Sequence, residues 1–600
     1  MKWQFFKNIR YPQQWMTIGL LCLLVMANFK AAIDSGMQKT IAEPARLHLF
    51  GICGTLASLH YDQNRYFCPD EVYAKLAGTE MYHNKTTEEI NQAVKEAMEL
   101  KIFNLKEGFT SGETDAGYVD YVYLAFMLLG PRIESLLYLY FLLFLISTLM
   151  FWLTFRRNPA ASFVVIIFLL AHYVIVKAAP GVGYNLANVV NYRFFPVLAI
   201  LPVIHIAMLS LRGNRLNGYF LIGTLLQSVI ILFSMWIRGS AIWVVILLAF
   251  LAASKIFFSF ITSKGFLKNT QKGILAFISE NINKLRLWPV FSFLSFFIFL
   301  ILAKPFILGD QYNKDNSTGY HLVWQNIYLG LALHPTIREK FSNVHFDSNF
   351  DVNKYYDLVI GPDATRKDSV YKAAIRNWLR KNPDLSKKIL LLKKKYDFKE
   401  RDEYGYNAAF KWLKDHNMSE YYLFNFTPED GVDYYSAFPN SFRNKTRFDI
   451  ERKFEFRSDF KWSRYDEILW KVIKEALLKS PFEVMQTIFF IKPMLFLANY
   501  FNFYGVWNNL PPLFLIALVI LYVYFILGKE LQDYQSRLLS FLGMVFIFSL
   551  IPAILVYPGS YVIADSALIF TMGIFIIFLS LINNRIIRFA DILEKKWNSF

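Results

Sequence analysis

The usual marks of soluble chemistry are missing from this chain. It has no CxxC, HExxH, P-loop or GxGxxG pattern, so dithiol, metal-motif and nucleotide-binding readings lose their anchors. Only 3 of its 600 residues are cysteine, too few for a disulfide scaffold. Charged residues make up 18%, and no internal repeat or low-complexity linker divides the chain. A cleavable signal peptide is not evident either. Lys2, Lys7 and Arg10 lead straight into a full-length apolar segment without a small-residue cleavage site.

Apolar sequence takes the place of those motifs. The chain is 55% hydrophobic, with 59 Phe and 35 Tyr. Unbroken apolar runs of about 20 residues cross the hydrocarbon as helices, because no water is present to satisfy an open backbone. Such runs lie at 15–33, 133–155, 160–178, 194–211, 218–237, 240–260, 288–308, 510–528, 537–556 and 561–583. The expected fold class is therefore an all-α polytopic membrane protein of about ten transmembrane helices, with a mostly helical extracytoplasmic domain. Residues 1–308 form the membrane domain of spans one to seven, with an outer loop at 34–131. Residues 309–480 form the extracytoplasmic domain. Residues 481–600 carry an interfacial helix and the last three spans. The segment 481–503 is apolar but broken by Lys492 and Pro493, which suits an interfacial or re-entrant helix.

The net charge of +17 does not point to nucleic acid. Much of the excess sits in short connections: Arg156 and Arg157, Arg212 and Arg215, Lys264 to Arg286, and the tail from Arg585 to Lys596. The bias of Lys and Arg toward the cytoplasm places these connections and both termini inside. Loop 34–131 and domain 309–480 then face the periplasm of a bacterial inner membrane.

The outer loop reads as ordered. Pro69, Asp70 and Glu71 start one helix. Thr86 and Glu89 have capping-box spacing ahead of a second, with Ile90, Val94 and Ala97 as its inner face. Residues 108–117 read as a turn-rich break. Tyr118 to Leu129 is too short to span, and its tyrosines suit a helix at the headgroup level. Cys53 and Cys68 share this loop and are either a disulfide or two buried thiols. In the outer domain, Tyr371–Lys395, Asp402–His416 and Trp462–Leu478 show helical spacing.

Charge at a membrane edge needs a reason. Asp34, at the outer end of span one, is either an ion-pair partner of Lys30 or a catalytic carboxylate. Asp70 and Glu71 are either ordinary first-turn acids or a base for a hydroxyl acceptor. Arg193 and Arg238 lie in outer turns against the usual bias, where guanidinium groups clamp phosphate or snorkel to headgroups. Asp115, Asp120 and Arg132 surround the entrance to span two. His321 and Trp324, with Tyr328 and His334, form either an aromatic wall for a sugar or a cap on the membrane domain.

This layout resembles the GT-C superfamily of integral membrane glycosyltransferases: a first span, a large outer loop with juxtamembrane helices, further spans and an outer C-terminal region. The resemblance implies a polyprenyl-phosphate-linked sugar donor and a periplasmic acceptor. It implies a catalytic acid from Asp34, Asp70 or Glu71, and donor-phosphate binding by Arg193 or Arg238. Asp115, Asp120, Arg132, His321 and Trp324 would line the substrate pocket, with a divalent metal as the one conceivable cofactor. Three local strings, GYVDYVYLAFMLLGPRIESLLYLYFLL (117–143), QSVIILFSMWIRGSAIW (227–243) and VWQNIYLGL (323–331), are similar to an uncharacterised family of bacterial multipass proteins. The rival expectation is a non-catalytic transporter or envelope-polymer assembly protein. His172, Lys177, His205 and Gln227 are its sparse interior polar positions.

Overall fold

The computed structural model describes residues 12–36, 45–61, 65–77, 87–100, 108–110, 116–156, 159–178, 192–212, 218–261, 287–308, 323–342, 408–409, 411–418, 462–493, 541–556 and 564–576. These residues are overwhelmingly helical. Asp115, His321, the predicted helix 371–395 and the predicted span 510–528 lie outside them.

Helix α1 (Pro12–Gly36) opens the chain and packs along α7 (Pro159–Ala178). Helix α2 (Ala45–Tyr61) follows and was not expected, since its apolar spacing is short and interrupted. The chain then forms β1 (Phe67–Pro69), α3 (Asp70–Ala77), α4 (Thr87–Met98), β2 (Gly108–Thr110) and α5 (Ala116–Leu129). Both predicted helices of this region are present. On α4, Thr87, Ile90, Val94 and Ala97 are buried as their spacing required. The break at 108–117 is corrected: its first residues pair antiparallel with β1, Cys68 opposite Phe109. Three-residue strands carry no periodicity long enough to read. The Cys53–Cys68 alternative resolves as a disulfide, joining α2 to β1.

Helix α5 adds a contact that its composition did not show. Two of its three tyrosines face inward, with Tyr118 and Tyr121 fully buried, Tyr123 half-buried, and Met127, Leu128 and Leu129 exposed. The Tyr121 hydroxyl donates to the carbonyl of Leu136 on α6 (Ile133–Phe155), a buried protein partner. Between the two helices, Asn91 of α4 clips the start of α6. Its Oδ1 accepts the Ile133 N–H at 2.9 Å, while its amide donates to both carboxylate oxygens of Glu134 at 3.0 and 2.9 Å.

The bundle continues with a 3-10 segment (Tyr192–Ala199) leading into α8 (Ile200–Arg212), then α9 (Gly218–Ile237). A 3-10 turn (Gly239–Ile242) follows, then α10 (Trp243–Ile261) and α11 (Trp288–Leu308). Among the described residues, five stretches are long and apolar enough to cross a membrane: Thr17–Asp34, Ile133–Phe155, Phe194–Leu211, Phe220–Ile237 and Gly239–Ile261. Shorter apolar helices include Phe163–Val176, Trp288–Lys304, Phe541–Leu555 and Ala564–Ile576, each inside a predicted span. One continuous core joins them, reaching from Leu21 to Ile576.

A second core forms around α12 (Val323–Leu331), α13 (Pro335–Ser342) and α14 (Trp462–Lys479), with Ala408, Ala409 and Leu413. Asp466 of α14 caps α12 from across the gap. Its carboxylate accepts the Gln325 N–H at 2.9 Å and also bonds the backbone of Val323 and Trp324, three donors that have no partner within the helix. Trp324 stacks on Trp470 at 4.1 Å between ring centroids. This core meets the bundle at Gly330, where a Cβ would fall 2.5 Å from the Val556 carbonyl oxygen, so only glycine allows the approach.

Candidate functional site

Two kinds of polar site emerge. The first lies inside the bundle. Asn28 of α1 donates both amide hydrogens, to the carbonyls of Leu24 (2.8 Å) and Leu169 (2.9 Å). Its oxygen must therefore accept, so His172 donates from Nδ1 at 2.7 Å. The remaining ring nitrogen, Nε2, then accepts from the Tyr140 hydroxyl at 2.9 Å. Three helices are thus tied by neutral groups whose bonding closes on itself. A separate set joins α6 to α9: Ser147 donates to Gln227 Oε1 at 3.0 Å, and Gln227 returns to the Ser147 carbonyl at 2.8 Å. His205 lies 3.4 Å from the same amide nitrogen.

The second site lies where the first loop meets the end of α9. Arg65 and Tyr66 leave α2 just before β1, while Asp120 sits on the first turns of α5. The disulfide and the β1–β2 pairing hold the first pair in place. Gly117 holds Asp120: a Cβ at position 117 would lie 2.2 Å from the Trp236 backbone, so α5 and α9 touch backbone to backbone. One turn further along the same face, Asp120 reaches Trp236.

Three donors converge on the Asp120 carboxylate. Arg65 Nε lies 2.5 Å from Oδ1, the Trp236 indole N–H donates to Oδ2 at 2.6 Å, and the Tyr66 hydroxyl reaches both oxygens at 3.0 Å. The Arg65 guanidinium also lies 5.1 Å from the Tyr66 ring centroid and 5.3 Å from that of Tyr123. Burial and the neighbouring carboxylate push the Tyr66 hydroxyl well above the usual tyrosine range, so it remains a donor. Burial works against the charge on Arg65, but Asp120 and Tyr66 outweigh it and strengthen the cation. The Arg65 side chain is 34% exposed against 16% for Asp120, so the arginine faces outward and the acid stays behind it. Arg238 follows Trp236 by two residues, half-buried, at the cap of the 3-10 turn.

The other predicted residues are dispersed. Asp34 is exposed at the end of α1 and acts electrostatically on Tyr173 of α7. Asp70 begins α3, and Glu71 beside it is exposed and near Tyr61. Arg132 is exposed at the start of α6. Arg193 lies in the 3-10 segment before α8. Trp324 belongs to the second core, where Tyr328 is buried and bonded to Ser342, and His334 Nε2 meets Gln486 Oε1 at 3.1 Å. Asp120 is the predicted acid that the structure brings onto a partly buried cluster, paired with Arg65. Arg65, Tyr66 and Trp236 were missed, because an arginine in a loop, a tyrosine and a span-ending tryptophan carry no spacing signal. Among the described residues no cluster of His, Cys, Asp and Glu is arranged to hold a metal ion. No known protein family, curated protein or solved structure matches this chain.

Proposed function

We propose that this protein is an integral membrane glycosyltransferase that uses a polyprenyl-phosphate-linked sugar at the periplasmic face of a bacterial inner membrane. The observation that carries the reading is Arg65. Its Nε is fixed by Asp120 and its plane lies against two tyrosines, so the outer edge of the guanidinium is presented ready-made at the end of a membrane helix. Such an edge suits bidentate contact with a phosphate. Asp120 is then a positioning residue, and Arg238, one short step along the chain, is a second cation for the same anion. Asp34, Asp70 and Glu71 remain the acids proposed to deprotonate the acceptor as the phosphate leaves. The Cys53–Cys68 disulfide supports an oxidising compartment for the first loop. A transporter finds less support: among the described residues the interior hydrogen bonds group into local sets around Asn28 and Gln227 rather than a chain across the bundle.

The test is transfer of labelled sugar from a polyprenyl phosphate to periplasmic glycan in membranes containing each variant. Arg65→Ala is expected to lower transfer about a hundredfold, with Arg65→Lys recovering part of it. One of Asp34→Asn, Asp70→Asn or Glu71→Gln is expected to abolish it. Wild-type transfer in all of these variants, from folded protein, would turn the assignment toward a non-catalytic envelope-assembly role.

A further inference from the structure

Helix α15 (Pro481–Gln486) and the π-helical turn that extends it (Thr487–Ile491) have two apolar faces. One is used: Val484 and Ile488 join the second core, and Thr487 and Ile491 are buried beside them. The other is bare. Phe482 is 75% exposed, Met485 53%, Phe489 60% and Phe490 66%. Leu478, at the end of α14, adds to the same region at 81%. Two apolar faces with a single carboxylate, Glu483, are not a water-facing arrangement.

What covers this face is indicated by how the helix is fastened at its two ends. The near end is polar: Lys474 and Lys479 are exposed on α14, and Ser480 interrupts the helix with a non-helical backbone. The far end is Lys492, whose amine donates to the carbonyls of Ile554 (2.6 Å) and Leu555 (3.2 Å). Those oxygens close Phe541–Leu555, an apolar helix belonging to the core of the bundle. A lysine on the last carbonyls of a helix satisfies orphan acceptors and the negative end of its dipole. The next helix, Ala564–Ile576, begins at the same end of the bundle: Asp565 accepts the Trp243 indole N–H at 2.6 Å, and Trp243 lies just beyond the Arg238 turn. The far end of the helix is therefore tied at the boundary where the apolar helix Phe541–Leu555 finishes.

We infer that Pro481–Ile491 lies in the plane of the membrane, with Phe482, Met485, Phe489 and Phe490 inserted among the lipids of the leaflet nearest the Arg238 turn. This helix anchors the second core to the bilayer. Its partner is lipid, met at the headgroup–acyl boundary, with the exposed Lys474 and Lys479 of α14 on its polar side.

The experiment uses the full chain in liposomes, on a Cys22→Ser background so that the disulfide pair is the only other cysteine. Phe482→Cys, Met485→Cys and Phe489→Cys, each on the exposed face, carry an environment-sensitive fluorophore, and Lys474→Cys serves as a reference. Nitroxides placed near the headgroup and near the acyl terminus report depth. At all three positions the shallow nitroxide is expected to quench about twofold more than the deep one, matching insertion of about 5–10 Å. Iodide in water is expected to quench only position 474. Stronger quenching by the deep nitroxide at 489 would mean a spanning segment and overturn the inference. Iodide quenching at 482 and 489 would mean a water-facing surface and overturn it equally. Protection from every quencher would mean that protein, a second copy included, covers the face.

Discussion

The bundle interior and the junction at the end of α9 solve the same problem with different chemistry. Inside, Asn28, His172 and Tyr140 bring three helices together without a formal charge, each hydrogen directed to a defined acceptor. At the junction, Arg65 and Asp120 carry full charges at 2.5 Å, with a tyrosine and a tryptophan completing the carboxylate. The difference follows from the solvent. A charge in hydrocarbon costs several kcal/mol, so interior specificity is written in amides and imidazoles. A half-exposed boundary lowers that cost and leaves the arginine of the pair partly exposed. Neutral closed sets therefore mark architecture, and open charged sets mark candidate chemistry.

The sharpest way to break this contrast is to put a charge inside. Asn28→Asp keeps the shape but turns two donors into acceptors facing the Leu24 and Leu169 carbonyls. A loss of about 4 kcal/mol is expected, read as a collapse of the thermal midpoint in detergent. If the variant melts like the native protein, the interior set does not hold the helices. Gly117→Val comes next, at about 3 kcal/mol, because its side chain meets the Trp236 backbone rather than a movable side chain. The same variant should also loosen Asp120 from Trp236, visible as a change in indole fluorescence. Asn91→Ala removes the clip between α4 and α6 and is expected to cost about 1 kcal/mol, since the Ile133 N–H loses its acceptor at the helix start.

The smallest effect concerns pH. Burial raises the Asp466 carboxyl from 3.8 to about 6, although the three backbone N–H groups pull it down. The folded-state value lies above the unfolded one, so protonation favours the fold. That contribution is complete below about pH 4 and is lost as pH rises through about 6. Thermal midpoints should fall slightly from pH 4 to pH 7, and Asp466→Asn should flatten the decline. A steeper decline in the variant would assign the pH dependence elsewhere.

Much of the helical architecture was legible because it is periodic. Nine of the ten predicted apolar runs contain described helix, and five of those stretches meet the length and apolarity of a span. The amphipathic α4 was readable from Ile90, Val94 and Ala97 for the same reason. The site was less legible. Asp120 stood out as an acid near a membrane edge, but its partners are 54, 55 and 116 residues away in sequence. The inward turn of Tyr118 and Tyr121 was likewise hidden, because tyrosine suits a headgroup layer and a buried hydrogen bond equally well.

The amino-acid order alone determined that the described residues are mostly apolar helix, since backbone groups in hydrocarbon have no other partner than their own helix. It also determined where the amphipathic pieces fall. Only the tertiary structure decided which sparse polar groups meet. Pairing Arg65 with Asp120, and Asn28 with His172, depends on how closely helices approach at residues such as Gly117, and that distance is set by packing in three dimensions.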